Sequence, residues 1–279
     1  GFNEYGVAMS ATVSASPGKA AEAADPLVEN GLSEASMTTV VLPYITTARE
    51  GVERIAKIVD TYGSAEGNII FIADDKESWY MEIYTGHQYA AVKVPDDMYA
   101  VVPNHFLLGY IDTTSKDVIA SKDLINLPKS KGFYKEIDGK FHAALTYGEE
   151  LGDYDRVRLW GGQNKLSPSA KVAYDTKLFS LWRKADKKIT LEDVMELQRC
   201  RYEGTDKNAN LPENAGVRAI GTPTSMECHI IQMKDTLPKD IGGVMWMAMA
   251  NAEHSVYLPF YGNITDTLPP DKVNHELYT

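Results

Sequence analysis

Cysteine is scarce in this chain. Cys200 and Cys228 are the only two in 279 residues, too few for a disulfide scaffold or for a zinc site built on thiolates. They read as two buried thiols, with a single disulfide as the alternative in an oxidising compartment. Clustered basic charge is missing as well. The net charge is −11 and no run of five basic residues occurs, so nothing supplies the counterion release that drives nucleic-acid binding. Long apolar runs are absent: residues 69–73 and 244–250 fall far short of the roughly 20 residues that cross a bilayer. The reading is a soluble chain with no membrane span. Phosphate-binding loop, dinucleotide fingerprint, G-x-S-x-G elbow and H-E-x-x-H are all absent. His87, His105, His142, His229, His254 and His275 stand singly, and neither a metal nor another cofactor is expected.

The ends lack signals too. Gly1-Phe2-Asn3-Glu4 carries no initiator Met and no basic or apolar leader region, and Leu277-Tyr278-Thr279 closes on no terminating pattern. Both ends are expected to be truncations. Asn263-Ile264-Thr265 matches a glycosylation sequon, which carries meaning only in a secreted eukaryotic protein.

What is present is core-forming material, 44% hydrophobic, enough for one large core or two smaller ones. Val7, Met9, Ala11 and Val13 alternate as in a half-buried strand. A helix over 37–48 must end or kink at Pro43. Thr47 and Glu50 form a capping-box signature ahead of Val52, Ile55, Ala56, Val59 and Tyr62 on one helical face, with Gly63 suited to the end. Four short β-rich runs follow at 68–73, 78–84, 88–94 and 98–102. Their connections are only a few residues long, which predicts consecutive antiparallel strands. Residues 105–165 show little periodicity. Asp74-Asp75-Lys76-Glu77 lacks calcium-loop spacing and reads as a solvated turn. Thr190 and Asp193 open another helix, and strands are expected at 227–233 and 243–250. No internal repeat or low-complexity linker divides the chain, so a single domain over 1–279 of α+β class is expected. From these residues alone the activity stays open.

The opening run Gly1-Phe2-Asn3-Glu4-Tyr5-Gly6-Val7-Ala8-Met9-Ser10-Ala11-Thr12 resembles a stretch of the C69 dipeptidases. A looser form, G-x-N-E-x-G-L, occurs in penicillin V acylases and bile salt hydrolases. Further matches follow in family order: Ala24-Asp25-Pro26-Leu27-Val28, Thr39-Val40-Val41-Leu42-Pro43-Tyr44, Trp79-Tyr80-Met81-Glu82 with Gly86-His87, Val94-Pro95-Asp96-Asp97, Pro103-Asn104 and Arg158-Leu159-Trp160. Beyond these come residues 188–194, Arg201-Tyr202-Glu203-Gly204-Thr205, Trp246-Met247-Ala248 and Leu258-Pro259-Phe260-Tyr261. No single segment carries the resemblance; their shared order over nearly the whole chain does.

The resemblance implies an αββα N-terminal-nucleophile sandwich of two antiparallel sheets between helical layers, here incomplete at the N-terminus. It also implies hydrolysis of dipeptides or short peptides by an N-terminal cysteine. The α-amine of that cysteine, with an ordinary pKa of about 8, would serve as general base. Cys200, in a helix-like run, and Cys228, in a strand-like run, are internal and carry no α-amine, so the nucleophile is expected upstream of Gly1. Carried over residue by residue, Asn104 becomes an oxyanion donor, with a cap on the Pro103 turn as the alternative. Arg158 becomes the cation that lowers the thiol pKa; the alternative is a surface ion pair with Asp153 or Asp155. Arg156 would replace Arg158 if the match slipped by two places. Thr12 and Ser10 are candidates for substrate binding or ordinary strand residues, and His87 lines the pocket or is a satisfied structural histidine. Asn3 is expected to shape the turn before the first strand. An acylase acting on penicillin V or conjugated bile acids, and a non-catalytic scaffold or binding module, stand as alternatives. The resemblance leaves homo-oligomerisation open, and the text lies closer to the leader-bearing, exported members than to the cytoplasmic ones.

Overall fold

A computed structural model describes residues 1–262 except 14, 235 and 239–242. The sequon at 263–265, His275 and the closing residues lie outside the described residues. Strand β1 (Ala8–Val13) is followed by α1 (Lys19–Ala24), α2 (Glu34–Val41) and the long helix α3 (Ala48–Tyr62). Strands β2 (Asn68–Ala73), β3 (Ser78–Ile83), β4 (Tyr89–Lys93) and β5 (Val118–Ala120) join β1 in one five-stranded antiparallel sheet, in chain order. Helix α4 (Asn126–Lys131), the hairpin β6 (Glu136–Ile137) and β7 (Lys140–Phe141), and helices α5 (Ala143–Tyr147), α6 (Asp153–Leu166) and α7 (Leu191–Gln198) come next. Strands β8 (Glu227–Met233), β9 (Gly243–Met249) and β10 (Leu258–Tyr261) form a second antiparallel sheet with β9 central. The fold mixes helices with antiparallel sheets, in agreement with the α+β reading.

Local chemistry explains the legible elements. Pro43 ends α2, which passes into a 3-10 turn over Leu42–Tyr44. At the head of α3, Thr47 Oγ1 accepts from the Glu50 N–H at 3.2 Å. The return bond of a capping box would go to Thr47, but Glu50 Oε2 accepts from Thr46 N–H at 2.7 Å and Thr46 Oγ1–H at 2.8 Å. Asp74 Oδ2 accepts the orphan N–H of Ala48 at 2.8 Å while its Oδ1 accepts from Lys76 and Glu77 N–H. The acidic 74–77 run is thus a turn that also caps a helix. Val52, Ile55, Ala56 and Val59 are buried, while Tyr62, expected on the same face, is exposed at the helix end. Gly63 takes φ +76°, which a side chain would strain. Asn3 shapes its turn as expected: Oδ1 accepts from Tyr5 and Val7 N–H, and Nδ2 donates to Leu42 and Ile45 C=O at 2.8 Å each.

The five-stranded sheet packs apolar side chains on both faces. Val7, Met9, Ile70, Ile72, Trp79, Met81 and Ile83 pack under α2 and α3. Ile69, Tyr80, Tyr84 and Ala90 pack on the other face against residues 106–108, α5 and Leu181. The second sheet has its own small core of Ala248, Ala252 and Tyr257 beside Met195 and Trp246.

Three expectations change. Residues 98–102 are not a strand of the sheet, and the neighbour of β4 is β5. Pro95 ends β4's run because it can donate no ladder bond. The chain turns there, with Met98 N–H donating to Pro95 C=O, and Tyr99 pairs instead with Arg183. Helix α6 begins in the 105–165 stretch, where the sequence shows little periodicity, and it carries Gly161-Gly162 inside it. Both glycines serve packing: a Cβ at Gly161 would stand 2.2 Å from the Tyr202 ring, and one at Gly162 2.7 Å from Val101. Cys200 follows α7 rather than lying within a helix.

Candidate active site

Pro103 and Asn104 lead the chain off the meander and over the sheet, and α6 carries its acidic first turn to meet them. Asp153 and Asp155 in that turn suit the positive end of the helix dipole. Asp155 Oδ1 accepts from the Asn104 backbone N–H at 3.0 Å and from Arg158 Nη2 at 2.5 Å. Arg158 Nη1 donates to the side-chain Oδ1 of Asn104 at 2.5 Å, and Nε donates to Tyr154 C=O at 3.0 Å. The guanidinium lies 4.6 Å over the Tyr154 ring. The Arg158 and Asp155 side chains are only 12% and 16% exposed, so this is a shielded pair rather than a solvated surface one.

The structure therefore joins Asn104, Asp155 and Arg158, which lie up to 54 positions apart. Because a guanidinium only donates, the Asn104 amide must turn its oxygen toward Arg158. Its Nδ2 has no hydrogen-bond partner among the described residues. Burial pulls the Arg158 pKa below its ordinary value, with Asp155 opposing the shift.

A cavity of about 340 Å³ adjoins this group, lined by Ser16, Asn104, His105, Tyr154, Asp155 and the pair Glu149 and Glu150. Arg158 is not among the lining residues. His105 also lines a neighbouring cavity of about 400 Å³ with Arg156, Lys135 and Lys177. Burial lowers the His105 pKa, with Asp155 and Glu149 opposing the shift, which favours the neutral imidazole at pH 7. His105, Glu149 and Asp155 were not singled out as site residues from sequence. Only the adjacency of His105 to Asn104 offered a signal.

The other expected residues lie elsewhere. Arg156 holds loops together, donating to Thr176 C=O at 2.6 Å and Leu151 C=O at 2.8 Å. Ser10 and Thr12 sit on β1 opposite Phe71 and Ile69, Ser10 exposed and Thr12 half-buried, and neither lines the Asn104 cavity. His87 does not line it either. Its Nδ1 is 2.9 Å from Asp25 Oδ1, and Asp25 Oδ2 accepts from His87 N–H and Thr85 Oγ1–H at 2.6 Å each. Asp25 thus holds both the backbone and the Nδ1 of His87, whose side chain stays part-exposed. The two cysteines are free. Cys200 is buried, and burial raises its thiol pKa, the opposite of an activated nucleophile. Cys228 is half-buried in β8, paired with Ala248. No cluster of metal-ligating side chains occurs among the described residues.

The model of peptidase family C69 matches residues 1–276. A probable dipeptidase B of Streptococcus pyogenes serotype M1 is 46% identical over 282 residues, covering 96% of this chain and 57% of the relative. A probable dipeptidase of Latilactobacillus sakei is 35% identical with 96% and 58% coverage, and one of Salmonella dublin 33% identical with 97% and 64%. The chain belongs to peptidase family C69. It spans between 57% and 64% of the length of these curated relatives.

In this C69 chain the Asp155–Arg158 pair gives a direct stability test. Arg158→Ala would leave the Asp155 carboxylate and the Asn104 oxygen short of their donors. The expected loss is about 2 kcal/mol in urea unfolding, partly recovered by adding Asp155→Asn, which removes the stranded charge. A loss within 0.5 kcal/mol (about the size of an exposed pair) would show that the pair is solvated.

Proposed function

We propose that residues 1–279 form part of a dipeptidase that cleaves short peptides with an N-terminal cysteine upstream of Gly1. The observation that carries the reading is the contact between Asn104 and Arg158, the two positions that the family resemblance marks as catalytic, with Asp155 bonded to both. Arg158 fixes the Asn104 amide with its oxygen turned inward, leaving Nδ2 as an uncharged donor for the oxyanion that forms when the thiolate attacks a peptide carbonyl. With its three donating nitrogens engaged and its charge paired to Asp155, Arg158 acts on the site by positioning Asn104. This geometry favours the positioning role over that of a thiol-activating cation. Thr12 and Ser10 remain candidates for substrate contact along β1.

The same reading proposes a single domain with the αββα sandwich. The five-stranded sheet with α2 and α3 on one face supports one sheet and one helical layer.

Dipeptides with alanine, penicillin V and glycocholate discriminate the activities. The protein of the relatives' full length is expected to hydrolyse the dipeptides and leave the two acyl amides intact. Preferred turnover of penicillin V or glycocholate would favour the acylase reading, and no turnover of any of the three would favour a binding module.

A further inference from the structure

Glu82 is the fully buried carboxyl of the five-stranded sheet. It stands on β3 opposite Ile69 and Ala90, on the face it shares with Tyr80 and Tyr84. Three hydrogen bonds converge on one of its oxygens. Oε1 accepts from Leu107 N–H at 2.6 Å, from Leu108 N–H at 3.0 Å and from the Tyr80 hydroxyl. Oε2 has no hydrogen-bond partner among the described residues, and neither does the Tyr84 hydroxyl beside it. Leu107 and Leu108 lie three and four residues beyond Asn104, in the segment that crosses the sheet. Phe106 packs edge-on against Tyr84 at 5.0 Å. A buried carboxyl costs far more than an apolar residue in this place, and an isolated sheet needs no acceptor here. What needs one is the pair of successive backbone N–H groups that the crossing segment points down at the sheet.

We propose that Glu82 is a positioning residue for the Asn104 segment: its Oε1 anchors Leu107 and Leu108 to β3 and thereby holds Asn104 where Asp155 and Arg158 meet it. The inference rests on the reading of Asn104 as the oxyanion donor, and it adds a residue on a different element, outside the Asn104–Asp155–Arg158 group. The anchor is an acceptor, so Glu82→Gln, which keeps an amide oxygen in the same place, preserves it. Glu82→Leu abolishes it and strands two buried N–H groups.

Two measurements decide it. In hydrogen exchange on residues 1–279, the Leu107 and Leu108 amides of Glu82→Leu should lose roughly 10-fold or more of their protection, with Glu82→Gln near wild type. In the protein of the relatives' full length, Glu82→Leu should lower kcat by roughly 10–100-fold with KM little changed, and Glu82→Gln should restore it. Wild-type-like protection in Glu82→Leu, or equal losses of kcat in both variants, would overturn the inference. Should Glu82→Leu fail to fold, the wild-type chain still answers. The Leu107 and Leu108 amide resonances should shift together with the titration of the Glu82 carboxyl, and an absence of shift would overturn the inference. The titratable neighbours are Tyr80 and Tyr84, both held well above their ordinary values by burial, so they stay neutral over that range. Expected exchange and resonance behaviour without dipeptide turnover in any form would support the anchor and count against the dipeptidase reading alone.

Discussion

Asn104→Ala in the protein of the relatives' full length is expected to lower kcat by about 10²–10³ while KM changes little. The effect follows from what the side chain does and when. In the proposed reaction negative charge would appear on the substrate oxygen only as the thiolate adds, so a donor aimed at that oxygen would stabilise the transition state far more than the bound peptide. Arg158 supplies the aim: with the amide oxygen committed to its Nη1, the donor end has one orientation. Asn104→Asp is expected to be equally damaging, because its carboxylate would meet the oxyanion with like charge. Steady-state kinetics on an alanine dipeptide separate the cases. A rise in KM at constant kcat would make Asn104 a ground-state binding residue, and an unchanged kcat would return it to the turn cap.

The second large effect is on stability. Burial raises the Glu82 carboxyl from an ordinary value of 4.5 to about 7, against the opposing hydrogen bonds from Tyr80, Leu107 and Leu108. A carboxyl whose folded value is raised binds more protons folded than unfolded between the two values. Stability is therefore lost as pH climbs from about 4.5 to about 7. The span corresponds to about 3 kcal/mol, an upper figure for a fully buried group. Glu82→Gln cannot titrate and should lack this slope. Asp25, held low by its bonds to Thr85 and His87 against the effect of burial, contributes with the opposite sign but below that window. Urea unfolding at pH 5 and pH 7.5 should show wild type losing ground to Glu82→Gln at the higher pH. Parallel behaviour of the two proteins would mean that the carboxyl is solvated in the native state.

Much of the scaffold was legible because its signals are local. The α3 cap and stripe, the three strands between 68 and 93, and the Thr190–Asp193 capping box that opens α7 are each written within a few residues. Elements set by distant partners were not. Residues 98–102 have the composition of a strand, but their pairing partner is Arg183. Helix α6 shows no apolar stripe because Tyr202 and Val101 press on its glycines, and β10 exists through its pairing with β9. In the site, Asn104 and Arg158 came from resemblance alone, since nothing local ties residues 54 positions apart. Glu82 was invisible for a different reason. Alternation would place a charged residue of a strand toward solvent, and only the segment crossing over it buries that face.

The central claim is that this chain supplies the receiving side of the active site while the attacking thiolate comes from outside it. Iodoacetamide inactivation of the protein of the relatives' full length, mapped by peptide mass spectrometry over time, tests that claim most directly. Loss of dipeptide hydrolysis should track alkylation of an N-terminal cysteine upstream of Gly1, with buried Cys200 and half-buried Cys228 reacting later or not at all. Inactivation that tracked Cys200 or Cys228, or full activity of residues 1–279 alone, would contradict the account.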